Sequence, residues 1–457
     1  FFSLGEGEES TVEIVSVYQK AQAESWDKER FLLEVSKIDG VYVPSFYRHE
    51  YNPDGTLERI VPLNGAPATV TKRIVEDLDH TYFPTKPIVA STEIVHDRAN
   101  LEVFRGCIRG CRFCQAGYVY RPVRNRSREL CARYGVESCN DSGYQEVTLS
   151  SLSTSDYPPL TELCDELEPF CQQRHVNLSL PSLRADNFSM SLMERLAKGR
   201  KTGLTFAPEA GTQRLRDVIN KNVTQEDLLQ SCRTAFAGGY SAVKLYFMLG
   251  LPFETEEDIR GIAELSNKIA ALYYEVVPKE KRNGPVQIVS STSFFIPKPF
   301  TPFQWAPMNT EREFLDKAAI VKAEVRAQLN QKSIRYIYHE ADISLLEGFL
   351  ARGDRKCAEV IEKAYRKGAI FDAWSEYFRK DAWEEAFAET GIDVSFYACR
   401  KRSTDEILPW DFLDIGVTKK FLIREWERAQ QETVTPNCKM QCSGCGAKSF
   451  GGGVCYE

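Results

Sequence analysis

The chain has 457 residues, of which 43% are hydrophobic and 27% charged, and a net charge of −7. This composition excludes a disordered chain, and the length predicts two or three domains. The acidic balance gives no reason to expect nucleic acid or an anionic membrane as the main partner, and no apolar run approaches the ~20 residues of a spanning helix. The start of the chain lacks the basic region of a signal peptide, and a chain this large with 14 cysteines is unlike a small disulfide scaffold. We therefore expect a cytoplasmic protein with reduced thiols.

Residues 1–97 are predicted to form an N-terminal extension. Helical patterning over 11–38 gives way to a hairpin. Its turn, Asn52-Pro53-Asp54-Gly55, joins the predicted strands Phe46–Tyr51 and Thr56–Pro62. Proline and polar residues from 62 to 87 indicate a linker.

Between 98 and 305, short apolar strands alternate with amphipathic helices, which is the pattern of a parallel α/β sheet. The predicted strands are Ala99–Arg105, Glu146–Leu149, Asn177–Leu180, Gly203–Phe206, Ala242–Phe247 and Gln287–Phe295. The predicted helices between them include Thr161–His175, Ser189–Lys198, Thr224–Ala237 and Thr255–Tyr274. Six such units over about 200 residues predict a partial (β/α)6 TIM-like barrel rather than a closed barrel of eight.

The remainder of the chain changes character after Trp305. Charged helical segments are predicted at 311–330, 341–367, 373–390 and 418–432, with one strand at Ile334–Tyr338. We therefore expect a mainly helical C-terminal region over 306–430 and a Cys-rich tail over 431–457.

Three cysteines follow the first predicted strand, in the run Phe-Arg-Gly-Cys-Ile-Arg-Gly-Cys-Arg-Phe-Cys-Gln-Ala-Gly. Cys107, Cys111 and Cys114 are spaced four and then three residues apart on a glycine-bearing loop. A structural zinc site needs four protein ligands, usually as two C-x2-C pairs. Three closely spaced thiolates fit a [4Fe–4S] cluster better, with one iron left open to a small molecule. The loop lies at the carboxyl end of a strand, where such barrels carry their chemistry.

This motif resembles the signature of the radical S-adenosylmethionine enzymes, C-x3-C-x2-C with an aromatic residue before the last cysteine, here Phe113. The resemblance implies that the open iron binds the amino and carboxylate groups of S-adenosylmethionine. It also implies that the reduced cluster cleaves this molecule to a 5′-deoxyadenosyl radical, and that Phe113 helps to seat the nucleotide.

The first 20 residues or so resemble the end of a cobalamin-binding domain fused ahead of some of these enzymes. The cobalamin-ligating motif of that domain, D-x-H-x-x-G, does not occur around any of the five histidines. We therefore expect a fragment, or a protein that has lost that domain. Cobalamin stays an open cofactor.

Loops after the other strands match the family unevenly. After the second strand the family places a Gly-Gly-Glu-like stretch on the methionine amino group, whereas Ser150 and Ser151 stand here, so that hydroxyls and backbone must replace the carboxylate. After the fourth strand, Glu209 lies in an E-x-G-like stretch and would accept hydrogen bonds from the ribose hydroxyls. A solvated surface carboxylate is the alternative for Glu209.

After the fifth strand, Gly250 and Pro252 resemble the family's G-x-P turn against the adenine, and Gly250 would let the backbone approach a ligand closely. The alternative is an ordinary strand-to-helix turn. After the third strand, Arg184 and Asp186 would contact the methionine carboxylate or the substrate, or pair with each other.

A basic run follows the cysteine loop, made up of Arg121, Arg124, Arg126 and Arg128. Such a run indicates a solvated helix face. The sharper interpretation is a grip on an anionic substrate or on a reductase.

A second cysteine set occupies the tail, where Cys438, Cys442 and Cys445 repeat the spacing of the first set and Cys455 follows. Three interpretations remain open: an auxiliary iron–sulfur cluster, a structural zinc with Cys455 as fourth ligand, or a redox or radical-quenching thiol pair.

The sequence thus predicts a radical S-adenosylmethionine enzyme that carries out methyl or methylthio transfer to an unidentified small-molecule or macromolecular substrate. Its electron donor would be of the flavodoxin or ferredoxin type. The alternatives are a methylthiotransferase acting on RNA or a ribosomal protein, and a non-catalytic zinc or iron–sulfur scaffold.

Overall fold

The computed structural model describes residues 1–181, 184, 204–282 and 284–451. In its N-terminal part, the elements are β1 (Phe2–Ser3), α1 (Gly7–Ala23), α2 (Lys28–Val35), β2 (Val41–Tyr42), β3 (Tyr47–Tyr51), β4 (Leu57–Pro62) and β5 (Val70–Thr71). β3 and β4 pair antiparallel, which confirms the predicted hairpin. The helical patterning over 11–38 is two helices, because the Asp27 side chain caps α2 by accepting the Arg30 amide at 2.8 Å.

The first parallel sheet lies around the cysteine loop. The elements of this region are β6 (Ala99–Glu102), β7 (Phe104–Arg105), α3 (Gln115–Val119), β8 (Arg124–Asn125), α4 (Arg128–Ser142), β9 (Glu146–Ser150), α5 (Leu160–Arg174) and β10 (Asn177–Ser179). The sheet has the order β10-β9-β6 and is parallel throughout. The predicted strand Ala99–Arg105 divides at Val103, and its second half, β7, pairs antiparallel with β8.

The second parallel sheet carries the later strands. Its elements are β11 (Leu204–Glu209), α6 (Gln213–Val218), α7 (Gln225–Ala237), β12 (Ala242–Leu249), α8 (Glu256–Val276), β13 (Gln287–Phe294), α9 (Glu311–Ala327) and β14 (Ile334–Tyr338). The strands are parallel in the order β11-β12-β13-β14. Thr224 and Asp227 form a capping box at the start of α7.

The core of the second sheet lies between its strands and the helices that cover it. Leu245 of β12 and Ile288 of β13 are fully buried, and they pack with Ile262 and Ile269 of α8. Buried residues alternate with half-buried or exposed ones along β12, and this period of two gives this part of the sequence a clear signal.

The last part of the chain is helical and returns to the N-terminal part. Its elements are α10 (Ala341–Arg352), α11 (Cys357–Arg366), α12 (Lys380–Thr390), α13 (Val394–Ala398), β15 (Leu413–Asp414) and α14 (Lys419–Gln430). β15 pairs parallel with β5, so this region closes onto the N-terminal extension. The strand predicted within the helical region, β14, is present, but it is the edge of the second sheet rather than a separate element.

The predicted α/β class with parallel sheets is confirmed. Within the described ranges the parallel strands form two sheets and close no barrel. The predicted helix Ser189–Lys198, Asp186 and Gly203 lie outside the described residues. Among the helices described, none is long and apolar enough to cross a membrane.

Candidate metal centre at the cysteine loop

The cysteine loop runs from the end of β7 to the start of α3. Gly106 opens it with φ +86°, and a Cβ there would lie 2.6 Å from the carbonyl oxygen of Pro122, so a larger residue does not fit. Cys114 ends the loop as the residue before α3, and its amide donates to the carbonyl oxygen of Cys111 at 3.1 Å. Cys107, Cys111 and Cys114 are free thiols and half-buried.

The three thiols lie within electrostatic reach of one another. Burial raises the pKa of Cys107, and the neighbouring Cys111 raises it further. Burial, and then the neighbouring thiols of Cys111 and Cys107, raise the pKa of Cys114 to about 11. Thiolates this close repel each other, which adds to burial in raising the pKa values of Cys107 and Cys114.

Arg109 anchors the loop to the segment after β9. Its Nε donates to Asp156 Oδ2 at 2.9 Å, and Ser153 Oγ donates to the same oxygen at 2.6 Å. Both members of this ion pair are buried. Burial opposes ionisation of Asp156, but its bonds to Arg109 outweigh that effect and lower the pKa of the carboxyl group.

Arg112 anchors the same loop to α14. The side chain is fully buried, and its Nη2 lies 3.2 Å from Glu425 Oε2. Its Nη1 donates to the carbonyl oxygen of Val218 at 2.8 Å, at the end of α6. The loop is therefore fixed from two sides by buried arginines.

Lys221 is a site residue that the sequence analysis missed. Its Nζ lies 2.9 Å from Glu209 Oε1 and 6.0 Å from the centre of the Phe113 ring. Burial opposes the charge of Lys221, but Glu209 and then Cys111 raise its pKa. Glu209 is therefore a paired carboxylate beside the cysteine loop, not a solvated surface acid, and its φ of +68° is a strained conformation of a kind that clusters at functional sites.

The residues that were predicted to contact S-adenosylmethionine after the second and third strands lie near the cysteine loop. Ser150 ends β9, and its carbonyl oxygen accepts the Val103 amide at 3.1 Å. The Ser151 hydroxyl is 3.0 Å from Thr154 Oγ1, so it is engaged within its own loop. Arg184 donates from Nη2 to the carbonyl oxygen of Lys221 at 3.0 Å, which places it next to the Lys221–Glu209 pair.

Gly250 and Pro252 lie after β12, and no contact with the three cysteines is recorded for them. Gly250 has φ +82°, and a Cβ there would lie 2.6 Å from Phe314 Cε1. Its amide donates to Glu254 Oε2 at 3.0 Å. The close approach that this glycine permits is therefore to α9. Leu251, between the two residues, does share an apolar cluster with Phe113.

The interpretation of the basic run as a solvated helix face is wrong for its first three members. Arg121, Arg124 and Arg126 are buried, with exposed fractions of 4%, 2% and 1%. Arg126 donates to the carbonyl oxygen of Leu78, and Arg124 lies 2.7 Å from Glu6 Oε1. These side chains satisfy backbone carbonyls and a buried carboxylate, so they offer no surface to an anionic substrate or a reductase.

The tail cysteines lie against the first cysteine loop. The amide of Cys438 donates to the carbonyl oxygen of Ile108 at 3.1 Å. Cys438, Cys442 and Cys445 form no disulfide bond within the described part of the chain, and Cys455 lies outside the described residues. Asn220 links both segments, because its Nδ2 donates to Gly110 at 3.0 Å and its Oδ1 accepts the Thr435 amide at 2.8 Å.

No group of three or more His, Cys, Asp or Glu side chains in the described part of the chain is gathered closely enough to hold a single metal ion. In a site for one ion, such as zinc, every ligand atom lies about 2.0–2.3 Å from the same centre.

Comparison with known sequences places these features in a family. The Radical SAM superfamily matches residues 101–266, and the family described as Radical SAM proteins, N-terminal, matches residues 1–44. An uncharacterized protein of Methanocaldococcus jannaschii, MJ0966, is 30% identical over 361 residues, which cover 78% of this chain and 74% of that protein. The threonylcarbamoyladenosine tRNA methylthiotransferase MtaB of Bacillus subtilis is 24% identical over 243 residues, about half of each chain.

Similarity to solved structures is weak. The radical S-adenosylmethionine methyltransferase TsrM of Kitasatospora setae aligns with a TM-score of 0.36 and 14% identity over 66% of this chain and 52% of that chain. The coproporphyrinogen III oxidase HemN of Escherichia coli aligns with a TM-score of 0.35 and 13% identity over 50% and 52%. Alignments at this level carry no argument about the site.

The sequence relationships are stronger. The signature cysteines lie inside the matched range 101–266, and the relative from M. jannaschii is similar along most of both chains. The chain is therefore a radical SAM enzyme and belongs to the radical SAM superfamily.

Proposed function

We propose that Cys107, Cys111 and Cys114 hold a [4Fe–4S] cluster and that the chain binds S-adenosylmethionine beside it. The observation that carries this proposal is the placement of three free thiols on one loop that follows β7, next to a largely buried lysine–glutamate pair. When both are bound, the cofactors supply the reductive cleavage that yields a 5′-deoxyadenosyl radical.

The residues present fit such a cluster. In a cubane with three protein ligands, each thiolate binds a different iron, so the sulfurs stand farther apart than the ligands of one ion. Three thiols on one loop, electrostatically coupled to one another, supply the three protein ligands that such a cluster needs. The half-burial of all three leaves the loop open on one side.

The surrounding side chains would orient the nucleotide and exclude water. Glu209 would accept hydrogen bonds from a diol through its second oxygen, while Lys221 holds the first. Phe113 and Leu251 belong to an apolar cluster that shields this region. Arg184 and Lys221 place positive charge where a carboxylate would bind, and Ser150 and Ser151 stay our candidates for the amino group.

We also infer that the two parallel sheets are parts of one partial (β/α)6 barrel. The strand order within each sheet follows the chain, as a barrel requires. Five candidate positions, Cys107, Ser150, Arg184, Glu209 and Gly250, follow or end successive strands, which is where a barrel carries its site.

The favoured outcome is methyl or methylthio transfer to an unidentified substrate. MtaB, named as a tRNA methylthiotransferase, is similar to about half of the chain. This similarity favours methylthio transfer as the reaction. The net charge of −7 argues mildly against RNA as the substrate.

None of the five histidines lies in the cobalamin-ligating motif D-x-H-x-x-G, and cobalamin stays an open cofactor. We derive no step through it. An electron donor of the flavodoxin or ferredoxin type is the partner that this chemistry requires. Because the thiols must remain reduced, we predict a cytoplasmic location.

Anaerobic reconstitution tests the proposal. The purified chain is loaded with iron and sulfide, reduced, and incubated with S-adenosylmethionine, and 5′-deoxyadenosine is measured by mass spectrometry. For the wild type we expect iron–sulfur absorbance and release of 5′-deoxyadenosine. The triple variant Cys107→Ala, Cys111→Ala, Cys114→Ala should lose the cluster of this site and form no 5′-deoxyadenosine.

Cys232→Ala is a matched control, since Cys232 is a fully buried core residue. It should keep iron and product formation. An iron-loaded, reduced wild type that releases no 5′-deoxyadenosine would refute the proposed cleavage of S-adenosylmethionine. A colourless protein that binds only zinc would favour the alternative of a non-catalytic zinc-binding scaffold.

A further inference from the structure

The second sheet has one closed face and one open face. Along β12, every second residue from Val243 to Leu249 is buried in the core against the helices. The residues between them point to the opposite face, because alternate side chains of a strand point to opposite sides of the sheet. There Lys244 and Met248 are half-buried, and Tyr246 is 37% exposed.

The register of the parallel strands determines which side chains share the open face. Lys244 of β12 pairs with Val289 of β13, and Val289 pairs with Arg335 of β14, which is exposed. In this row the two cations are separated by two strand spacings, or about 10 Å. The next two rows contain Tyr246, Ser291 and Ile337, and then Met248 and Ser293. We call these three rows the cationic face.

The cationic face is positive, although the chain has a net charge of −7. Its three rows carry two cations and, among the described strands, no acidic residue. The carboxylates on the helix-free face of the first sheet are already paired, since Glu102 lies 2.9 Å from Arg105 and Glu146 lies 2.9 Å from Arg98. A surface of one sign attracts ligands of the opposite charge, so this face favours an anion.

Tyr246 places an exposed ring beside one of the cations. Lys244 Nζ lies 4.5 Å from the centre of this ring, and this cation–π contact holds the ammonium group at the open face. Ser291 adds a hydroxyl group in the same row as the ring. Cations, an exposed ring and hydroxyls on one surface are the groups with which proteins bind phosphates and unstacked bases.

The cationic face leads to the cysteine loop. The four strands are parallel, so their carboxyl ends lie at one edge of the sheet, where Glu209 ends β11. Met248 and Phe113 pack against the same apolar cluster. Four positions along β12 separate Lys244 from Met248, or about 13 Å. A ligand with a phosphate at the first row would therefore extend along the face toward the thiols.

We propose that the cationic face binds the substrate, and that the substrate is a nucleotide, either free or within a single strand of RNA. Lys244 and Arg335 bind its phosphates, and Tyr246 stacks on its base. An acidic peptide is the competing class of anion, but its carboxylates leave the exposed ring without a planar partner. The inference rests on the proposed function, because that proposal makes the strand ends the reaction site.

Binding of a fluorescein-labelled oligouridine to the reconstituted protein tests the charge of the face. Anisotropy measured at several salt concentrations should show binding that weakens as salt rises, since phosphate contacts release counterions. Lys244→Gln and Arg335→Gln should each weaken binding and reduce the slope of log K against log salt by about 0.7. Lys322→Gln, which removes an exposed cation from α9 on the other side of the sheet, should leave the slope unchanged.

Tyr246→Leu separates stacking from charge. Loss of the ring should raise the dissociation constant of oligouridine at least about fivefold and leave the salt slope unchanged. Competition with uridine monophosphate distinguishes the two sources of the nucleotide. Displacement of the oligouridine at equal nucleotide concentration indicates a free nucleotide, whereas retention of the oligouridine indicates RNA.

Photo-crosslinking of an oligouridine that contains 4-thiouridine locates the bound strand. Cross-links should fall on β12 or β13. Cross-links confined to the exposed aromatic residues Trp374 and Tyr377 would overturn the proposal. Wild-type salt slopes in folded Lys244→Gln and Arg335→Gln proteins, or tighter binding of polyglutamate than of oligouridine, would do the same.

The inference and the proposed function fail separately. The binding measurements require no electron donor and no cleavage of S-adenosylmethionine. A protein that binds oligouridine through the cationic face but releases no 5′-deoxyadenosine would refute only the proposed cleavage. A protein that releases 5′-deoxyadenosine but binds neither oligouridine nor uridine monophosphate would refute only the substrate class.

Discussion

Lys221 Nζ lies 2.9 Å from Glu209 Oε1, at the point where β11 ends beside the cysteine loop. The pair is largely buried, and Lys221 also interacts with Cys111. It is the feature that most directly connects the strand ends to the thiols.

Replacing Lys221 by methionine should weaken S-adenosylmethionine binding. Glu209 would lose its counter-ion and its orientation, and hydrogen bonds to charged groups contribute about 1.5–3 kcal/mol, so the dissociation constant should rise at least about tenfold. Equilibrium dialysis with the reconstituted protein measures it. Lys37→Met, in an exposed ion pair with Glu34, is the control and should have no effect. Equal affinities for all three proteins would exclude the assigned role.

Removing Arg112 should destabilise the whole molecule. Its pair with Glu425 is buried, so Arg112→Met leaves that carboxylate with only Arg428 and Thr435 as partners and should cost about 1.5–3 kcal/mol of the free energy of unfolding. The double variant Arg112→Met, Glu425→Leu should recover part of this loss. Urea unfolding measures each variant.

An exposed ion pair supplies the comparison for Arg112. Arg312 and Asp316 lie 3.0 Å apart on the surface of α9. Arg312→Met should cost less than about 1 kcal/mol. A similar loss for Arg112→Met would show that the buried pair does not secure the loop.

Gly250→Ala should destabilise more than an ordinary glycine substitution at positive φ. The residue would meet both the left-handed backbone penalty and a contact of 2.6 Å with Phe314, together about 2–5 kcal/mol. Gly143 has a similar φ of +77° and nothing within 4 Å, so Gly143→Ala should cost only about 1–2 kcal/mol. Thermal unfolding compares them, and equal losses would contradict the packing argument.

His49 should make stability depend on pH below neutrality. Burial, and then the charge of Arg355, lower its pKa to about 4, and both ring nitrogens lack a hydrogen-bond partner among the described residues. The unfolded chain binds a proton below about pH 6.5 whereas the folded chain does so only near pH 4. The free energy of unfolding should therefore fall as the pH drops from about 6.5 to 4, by on the order of 2 kcal/mol.

The contribution of His49 is measured as a difference between proteins, because carboxyl groups titrate in the same range. His49→Phe should be less sensitive to pH than wild type between 6.5 and 4. His339→Gln changes an exposed histidine and should behave like wild type. Parallel stability curves for wild type and His49→Phe would show that His49 is solvated.

The sequence predicted the elements whose signal is local. The strands at Ala242–Leu249 and Gln287–Phe294 were found because buried apolar residues recur along both, and the hairpin because its Asn-Pro-Asp-Gly turn is specific. The boundaries differed by one to three residues, as hydrogen bonding at the ends depends on neighbouring strands.

The contacts that build the site were beyond reach of the sequence. Arg112 pairs with a residue 313 positions away, and Arg124 with one 118 positions away, so nothing local distinguishes these arginines from surface ones. Because arginine is almost never fully buried without a partner, the solvated interpretation was the natural one. Lys221 carries no motif of its own and became visible only through its distance to Glu209.

Glu6 shows how the start of the chain bears on this site. Its carboxylate lies 2.9 Å from Arg105 and 2.7 Å from Arg124, and it accepts the Val75 amide at 2.7 Å. Arg105 directly precedes the glycine that opens the cysteine loop. Expression of the matched range 101–266 by itself would remove Glu6 from both guanidinium groups and leave Arg105 with Glu102 alone, so the ion pairs beside the cysteine loop depend on the N-terminal segment.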